Sequence, residues 1–157
     1  MDLQGKHDEA ERLYRELLDL SPGYSLVVAE LVRIEVRRGR ADAAISIAQQ
    51  AVSHEPSAAN LSTLAVANAF AGKSDEARAL LTRLHELSRE RWVSPWETSR
   101  IYAAVGDRDR ALRDLRAAFA ARHFQVPDLL ALVPLAFEGL VGDPEFERLV
   151  SGINNRE

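Results

Sequence analysis

At 157 residues the chain can bury about 70% of the surface it exposes when unfolded, so it needs no metal or disulfide to hold a fold. It has no cysteine, which excludes a disulfide scaffold and thiolate chemistry and suits a reducing compartment. The net charge is −4 with both signs interspersed, and no apolar run approaches a membrane span or signal-peptide core, so a cytoplasmic protein with no nucleic-acid and no membrane partner is expected.

Residues 1–24 read as half of a repeated unit. Gly5-Lys6-His7-Asp8-Glu9-Ala10 predicts a helix end at Gly5 and a new helix running to Leu20. Its apolar stripe is Ala10, Leu13, Tyr14, Leu17, Leu18 and Leu20, and Ser21-Pro22-Gly23 ends it. Such a helix normally packs on the one before it. Either this is part of a longer protein, or a second copy covers Leu13, Leu17 and Leu20.

Residues 25–57 form a full unit. Ser25 is expected to cap a helix through Arg38 with Val28, Leu31, Val32 and Ile34 as its apolar face; Gly39 turns the chain into a helix from Asp42 to Ser53. Residues 58–91 repeat the plan, with Ser57 as cap, Gly72 as turn, and Ala77, Leu80, Leu81, Leu84 and Leu87 on the second helix. Residues 92–121 repeat it again. Ser94-Pro95-Trp96-Glu97 offers a cap, a first-turn proline and a capping box, and Gly106 turns into a helix bearing Ala111, Leu112, Leu115, Ala118 and Phe119. After Ala121 the period is lost. Pro127, Pro134 and Pro144 cut residues 122–157 into short apolar pieces, near 128–132, 134–140 and 144–150, that suit the helical cap a repeat array needs.

The glycines of the four turns are 34, 33 and 34 residues apart, and so are the alanines Ala10, Ala44, Ala77 and Ala111. With a small or apolar residue seven further on (Ala51, Leu84, Ala118), closing prolines at Pro22 and Pro56, and Tyr102 late in a first helix, residues 5–121 resemble the tetratricopeptide repeat. Glu35 and Asn68 stand where that family carries the aromatic, and Val28, Leu61 and Pro95 where it carries a first-helix Trp. The stretch from Trp92 to Val150 also looks like the C-terminal end of repeat regions in bacterial multidomain regulatory proteins.

The resemblance implies an all-α superhelix of helix pairs with an irregular helical C-terminal cap. It also implies an interaction scaffold that docks a protein or peptide segment in its concave groove. Carried over unit by unit, the groove positions are Ala29, Arg33, Val36 and Arg37, then Ser62, Val66 and Phe70, then Trp96 and Arg100. An apolar floor rimmed by arginine suggests a partner with apolar anchors and some acidic residues. Of the positions that hold a chaperone-tail carboxylate in some relatives (Ala29, Arg33, Thr63, Val93, Glu97), only Arg33 could serve, so that specific function is not expected. The alternatives are a homodimer through the N-terminal half-repeat and a regulatory segment of a larger signalling protein, transcription factor or enzyme.

No catalytic residue, metal or cofactor is expected. His7, His54, His85 and His123 have no ligand spacing, and no nucleophile-elbow or phosphate-loop motif occurs. Two arginine groups stand out: Arg33, Arg37, Arg38 and Arg40, and Arg108, Arg110, Arg113 and Arg116. The second alternates with Asp107, Asp109 and Asp114 and reads as a charge-paired face. Trp92 and Trp96 lie one turn apart, and Trp96 falls at a groove position.

Overall fold

Three of the four glycine turns close as the spacing predicts. Gly39, Gly72 and Gly106 have φ of 72°, 76° and 80°, the left-handed region a Cβ disfavours. A Cβ at any of the three would meet nothing within 4 Å, so backbone conformation and not space selects glycine. Each sits in the same double hydrogen bond. In the first, Gly39 N–H donates to Val36 O (2.9 Å) and Arg40 N–H to Glu35 O (2.9 Å); Gly72 with Lys73 and Gly106 with Asp107 repeat it. This is the Schellman closure, which satisfies carbonyls that a helix end leaves open.

The computed structural model describes residues 3–121 and 135–154, and among these every regular element is helical. The α-helices are α1 (Leu3–Leu20), α2 (Ser25–Arg37), α3 (Ala41–His54), α4 (Ala58–Phe70), α5 (Ser74–Glu90), α6 (Pro95–Ala104), α7 (Arg108–Ala120) and α8 (Pro144–Asn154). A 3₁₀ helix spans Leu135–Leu140. No described helix is long and apolar enough to cross a membrane. The expected piece near 128–132, and His123, lie outside the described residues.

The helices pair as α2–α3, α4–α5 and α6–α7. The first members, α2, α4 and α6, also pack side by side, and the 3₁₀ helix packs on α6. Close approach rests on small residues. Ala44, Ala77 and Ala111 have no exposed surface, and Ala48, Ala51 and Ala118 lie equally deep. One core joins Val28, Val32, Ala44, Ala48 and Ala51 to Leu64 and Ala67. A second runs from Leu61, Ala77 and Leu84 through Ile101, Leu112 and Leu115 to Phe137, Leu140 and Phe146. Each hairpin thus buries its apolar face on the next.

Several sequence expectations are corrected. Gly5 makes no turn: α1 is helical from Leu3. Helix α1 packs on α2 through Leu18, while Leu13, Leu17 and Leu20 are exposed. Ser25 is the first helical residue and not a cap; Tyr24 precedes α2 without a side-chain bond. Ser57 and Ser94 do cap, accepting from Asn60 N and Trp96 N. Glu97 closes no capping box, because its carboxylate turns to Ser62 and Arg100.

Glu35 and Asn68, which depart from the repeat pattern, find polar partners, as do Tyr102 and Asn60. Buried Glu35 is paired with Arg15 (2.9 Å) and Arg40 (2.6 Å). Asn68 donates to Leu64 O, and Tyr102 takes the Arg110 guanidinium over its ring at 5.7 Å. Buried Asn60 donates from Nδ2 to Gly23 O and Glu55 O, both at 3.0 Å, tying the loop before α2 to the loop before α4. A Cβ at Gly23 would come within 2.7 Å of Glu55 Cβ, which leaves glycine the residue that fits there.

The second arginine group pairs as expected and also holds the C-terminal helix. Arg108 binds Asp143 and Glu145, Arg116 binds Glu145, Arg110 binds Asp107, and Arg113 binds Asp114. Asp143 caps α8, accepting from Glu145 N (2.8 Å) and Phe146 N (3.2 Å). Arg108 and these amides pull the Asp143 carboxyl down from 3.8 to about 2. Because its folded pKa is depressed, its stabilisation is complete above the ordinary carboxylate range and is lost as pH falls through about 2. A carboxyl NMR titration should place the Asp143 midpoint near 2 and move it up toward 3.8 in Arg108→Ala, with α8 amide protection falling over the same pH window. A midpoint near 4 in the unsubstituted protein would refute the pairing.

Candidate partner groove

A cavity of about 550 Å³ opens on the row of first helices. Its lining comes from Tyr14 of α1, from Ser25 to Arg37 of α2, from Ala59, Thr63 and Val66 of α4, from Trp96, Glu97 and Arg100 of α6, and from Leu135 and Ala136 of the 3₁₀ helix. The walls are mostly apolar, with Leu26, Ala29, Val32, Val66 and Trp96 among them. This size and lining are usual for pockets that hold small ligands or partner side chains.

Six of the nine residues expected at the groove line this cavity: Ala29, Arg33, Arg37, Val66, Trp96 and Arg100. The other three do not. Val36 is half-buried against the two clusters that meet beneath it. Ser62 is fully buried, with its hydroxyl between Glu97 Oε2 (2.7 Å) and Arg100 Nη1 (2.8 Å). Phe70, at the end of α4, is 40% exposed and outside the lining. Trp96 is 4% exposed, its ring 5.3 Å from Phe137, so it is a wall and not a protruding anchor. Trp92 is exposed and lies outside the lining.

The arginines are not an open cationic rim. Arg33 grips Glu30 through Nε (3.0 Å) and Nη2 (2.6 Å). Arg37 reaches Glu138 at 2.6 Å. Arg100 binds Glu97 (3.1 Å) and donates to Ser62 and Thr63. Behind them Arg38 holds Glu11 and Arg40 holds Glu35, both at 2.6 Å. Arg38 and then Arg15 keep the Glu11 carboxyl below its usual range. Every groove arginine therefore already faces a carboxylate of its own chain.

Leu135 and Ala136 were not foreseen at the groove. They are about a hundred residues from the end of α2, and the apolar run that contains them has no helical period to place it. Tyr14 and Leu26 were also missed, since the family's groove positions fall on first helices and further along α2. Of the histidines, His54 is exposed at the end of α3, and His85 is exposed with its ring 6.5 Å from Tyr102.

Comparison with known proteins agrees with the hairpin architecture. Residues 3–65 match the family model of the tetratricopeptide repeat. No curated protein matches the chain. Tetratricopeptide repeats are in general protein-interaction modules and not catalysts. The glycine turns, buried alanines and stacked helix pairs agree with that similarity, which the family model carries over residues 3–65.

Proposed function

We propose that this chain is an interaction scaffold that docks a segment of a partner protein on the row formed by α2, α4 and α6. The observation that carries the reading is the cavity of about 550 Å³ on that row, walled by Leu26, Ala29, Val32, Val66 and Trp96. Preformed apolar pockets hold the aromatic and aliphatic anchors that dominate binding energy at protein interfaces. Acidic residues on the partner add little, because each arginine would have to release a carboxylate it already holds. Exchanging one ion pair for another leaves the Coulomb energy nearly unchanged.

Peptides selected from a displayed library on the whole chain test this reading. Ala29 is half-buried on the cavity wall, and Ala29→Trp fills the space without opening the core. It should weaken the selected peptides at least tenfold, or about 1.4 kcal/mol, while circular dichroism stays unchanged. Full affinity in a folded Ala29→Trp protein would place docking elsewhere.

A second reading rests on α1. Leu13, Leu17 and Leu20 are 47%, 43% and 84% exposed, and Tyr24 and Leu26 beside them are 46% and 41% exposed. A run of exposed apolar side chains this dense is unusual on a free surface. If it joins two copies, light scattering will give a dimer that Leu17→Glu dissociates. A monomer at high concentration, unaffected by that change, removes the reading.

A further inference from the structure

The C-terminal 3₁₀ helix reaches past the last repeat. Leu135 and Ala136 are buried with Val66 of α4, and Val36 of α2 and Ala104 of α6 pack on the same cluster. One residue from each first helix meets the same short segment. Arg37, next to Val36, then pairs with Glu138 at 2.6 Å across 101 residues of sequence. Phe137 and Leu140 root the segment in the main core, with Phe137 fully buried between Trp96 and Phe146. A cap that only shielded the final hairpin would touch α6 and α7. This one runs back to α2.

Two consequences follow from where it lies. Val36, Val66 and Ala104 are near the C-terminal ends of their helices, so the segment covers that edge of the row. The open cavity runs along the rest of the row, its α2 lining from Ser25 to Arg37 covering about 18 Å of helix at 1.5 Å per residue. That is room for one helical segment, about 10–12 Å across with its side chains, and not for two side by side. Leu135 and Ala136 form the flank of that space. A stack of repeats held only by nearest-neighbour contacts can also change its pitch, whereas a segment bonded to the first and last hairpins restricts that change.

We propose that residues 135–140 are a strap that sets the width of the groove and supplies one wall of the partner site. The site then takes a single short partner segment, neutral overall, with one or two aliphatic or aromatic anchors, seated between the strap and the N-terminal halves of α2, α4 and α6. The chemistry follows from the lining: apolar walls, room for one chain, and arginines already matched by Glu30, Glu138 and Glu97. The partner class rests on the docking reading above; the strap does not.

The two halves are tested separately. The chain lacks cysteine, so spin labels at Ser46→Cys on α3 and Ala117→Cys on α7, both exposed, report the spacing of the first and last hairpins. Arg37 and Glu138 are 53% and 40% exposed in their side chains, so Glu138→Lys leaves the core intact. It should broaden the measured distance distribution, and the exchange Arg37→Glu with Glu138→Arg should narrow it again. Leu135→Ser should broaden it further. Distributions unchanged in both Glu138→Lys and Leu135→Ser would overturn the strap. For the partner class, the probes are two pools of short end-blocked peptides, one with Leu and Phe anchors in a neutral background and one with Glu added. The neutral pool should bind at least as tightly, its affinity changing less than about twofold between low and high salt. Tighter, salt-sensitive binding of the acidic pool would overturn the neutral partner. Binding by neither pool would overturn the partner class together with the docking reading, leaving the distance measurement to decide the strap.

Discussion

The structure depends on how closely two helix backbones approach at Ala44, Ala77 and Ala111. Each alanine has no exposed surface, and each follows a left-handed glycine by five residues. The glycine reverses the chain; the alanine lets the returning helix lie against its partner with only a methyl group between them. A larger side chain would have to displace a neighbour in an interior already packed to crystal density. The longer apolar residues Leu61, Leu84 and Leu115 lie in the core shared by the second and third hairpins. Repetition of that one contact places α2, α4 and α6 in a row, and the row makes a groove.

What the groove can do is governed by charge already spent within the chain. Placing arginines around an apolar floor invites an acidic partner, yet Arg33, Arg37 and Arg100 each hold a carboxylate within 3.1 Å. The pairs have different characters. Arg33 and Arg37 are partly exposed and their ion pairs stabilise little. Arg100 and Glu97 have side chains only 11% exposed and share hydrogen bonds with Ser62, so they act as a fixed polar floor. Removing one member of that floor would strand the other in a dry site, a far larger cost than breaking the exposed pairs.

The parts legible from sequence are those that repeat at short range. The turns at Gly39, Gly72 and Gly106, the small residues after them and the caps at Ser57 and Ser94 follow from local stereochemistry, and local stereochemistry is written in neighbouring residues. Gly5 misled because the same local pattern there lies inside a continuous helix and closes nothing. Glu97 misled because a capping glutamate is also a hydrogen-bond acceptor, and Ser62 and Arg100, brought near by packing, compete for it. The contacts of Leu135, Ala136 and Glu138 with α2 and α4 had no local signal at all. Nor did Asn60, whose amide joins two loops 32 residues apart, from Gly23 to Glu55. Phe70 read as a groove residue from its position in the unit, but it lies at the end of α4, beyond the cavity.

The central claim is that close helix contact at the buried alanines carries the array, and Ala77→Leu tests it most directly. Ala77 lies midway along the chain with none of its surface exposed, in the core that joins the second and third hairpins. Overpacking such a site should lower the urea-unfolding free energy by about 1–3 kcal/mol with the slope unchanged. A loss below about 0.5 kcal/mol, the range of ordinary surface changes, would mean that the backbones have room to spare and that something else holds the row together.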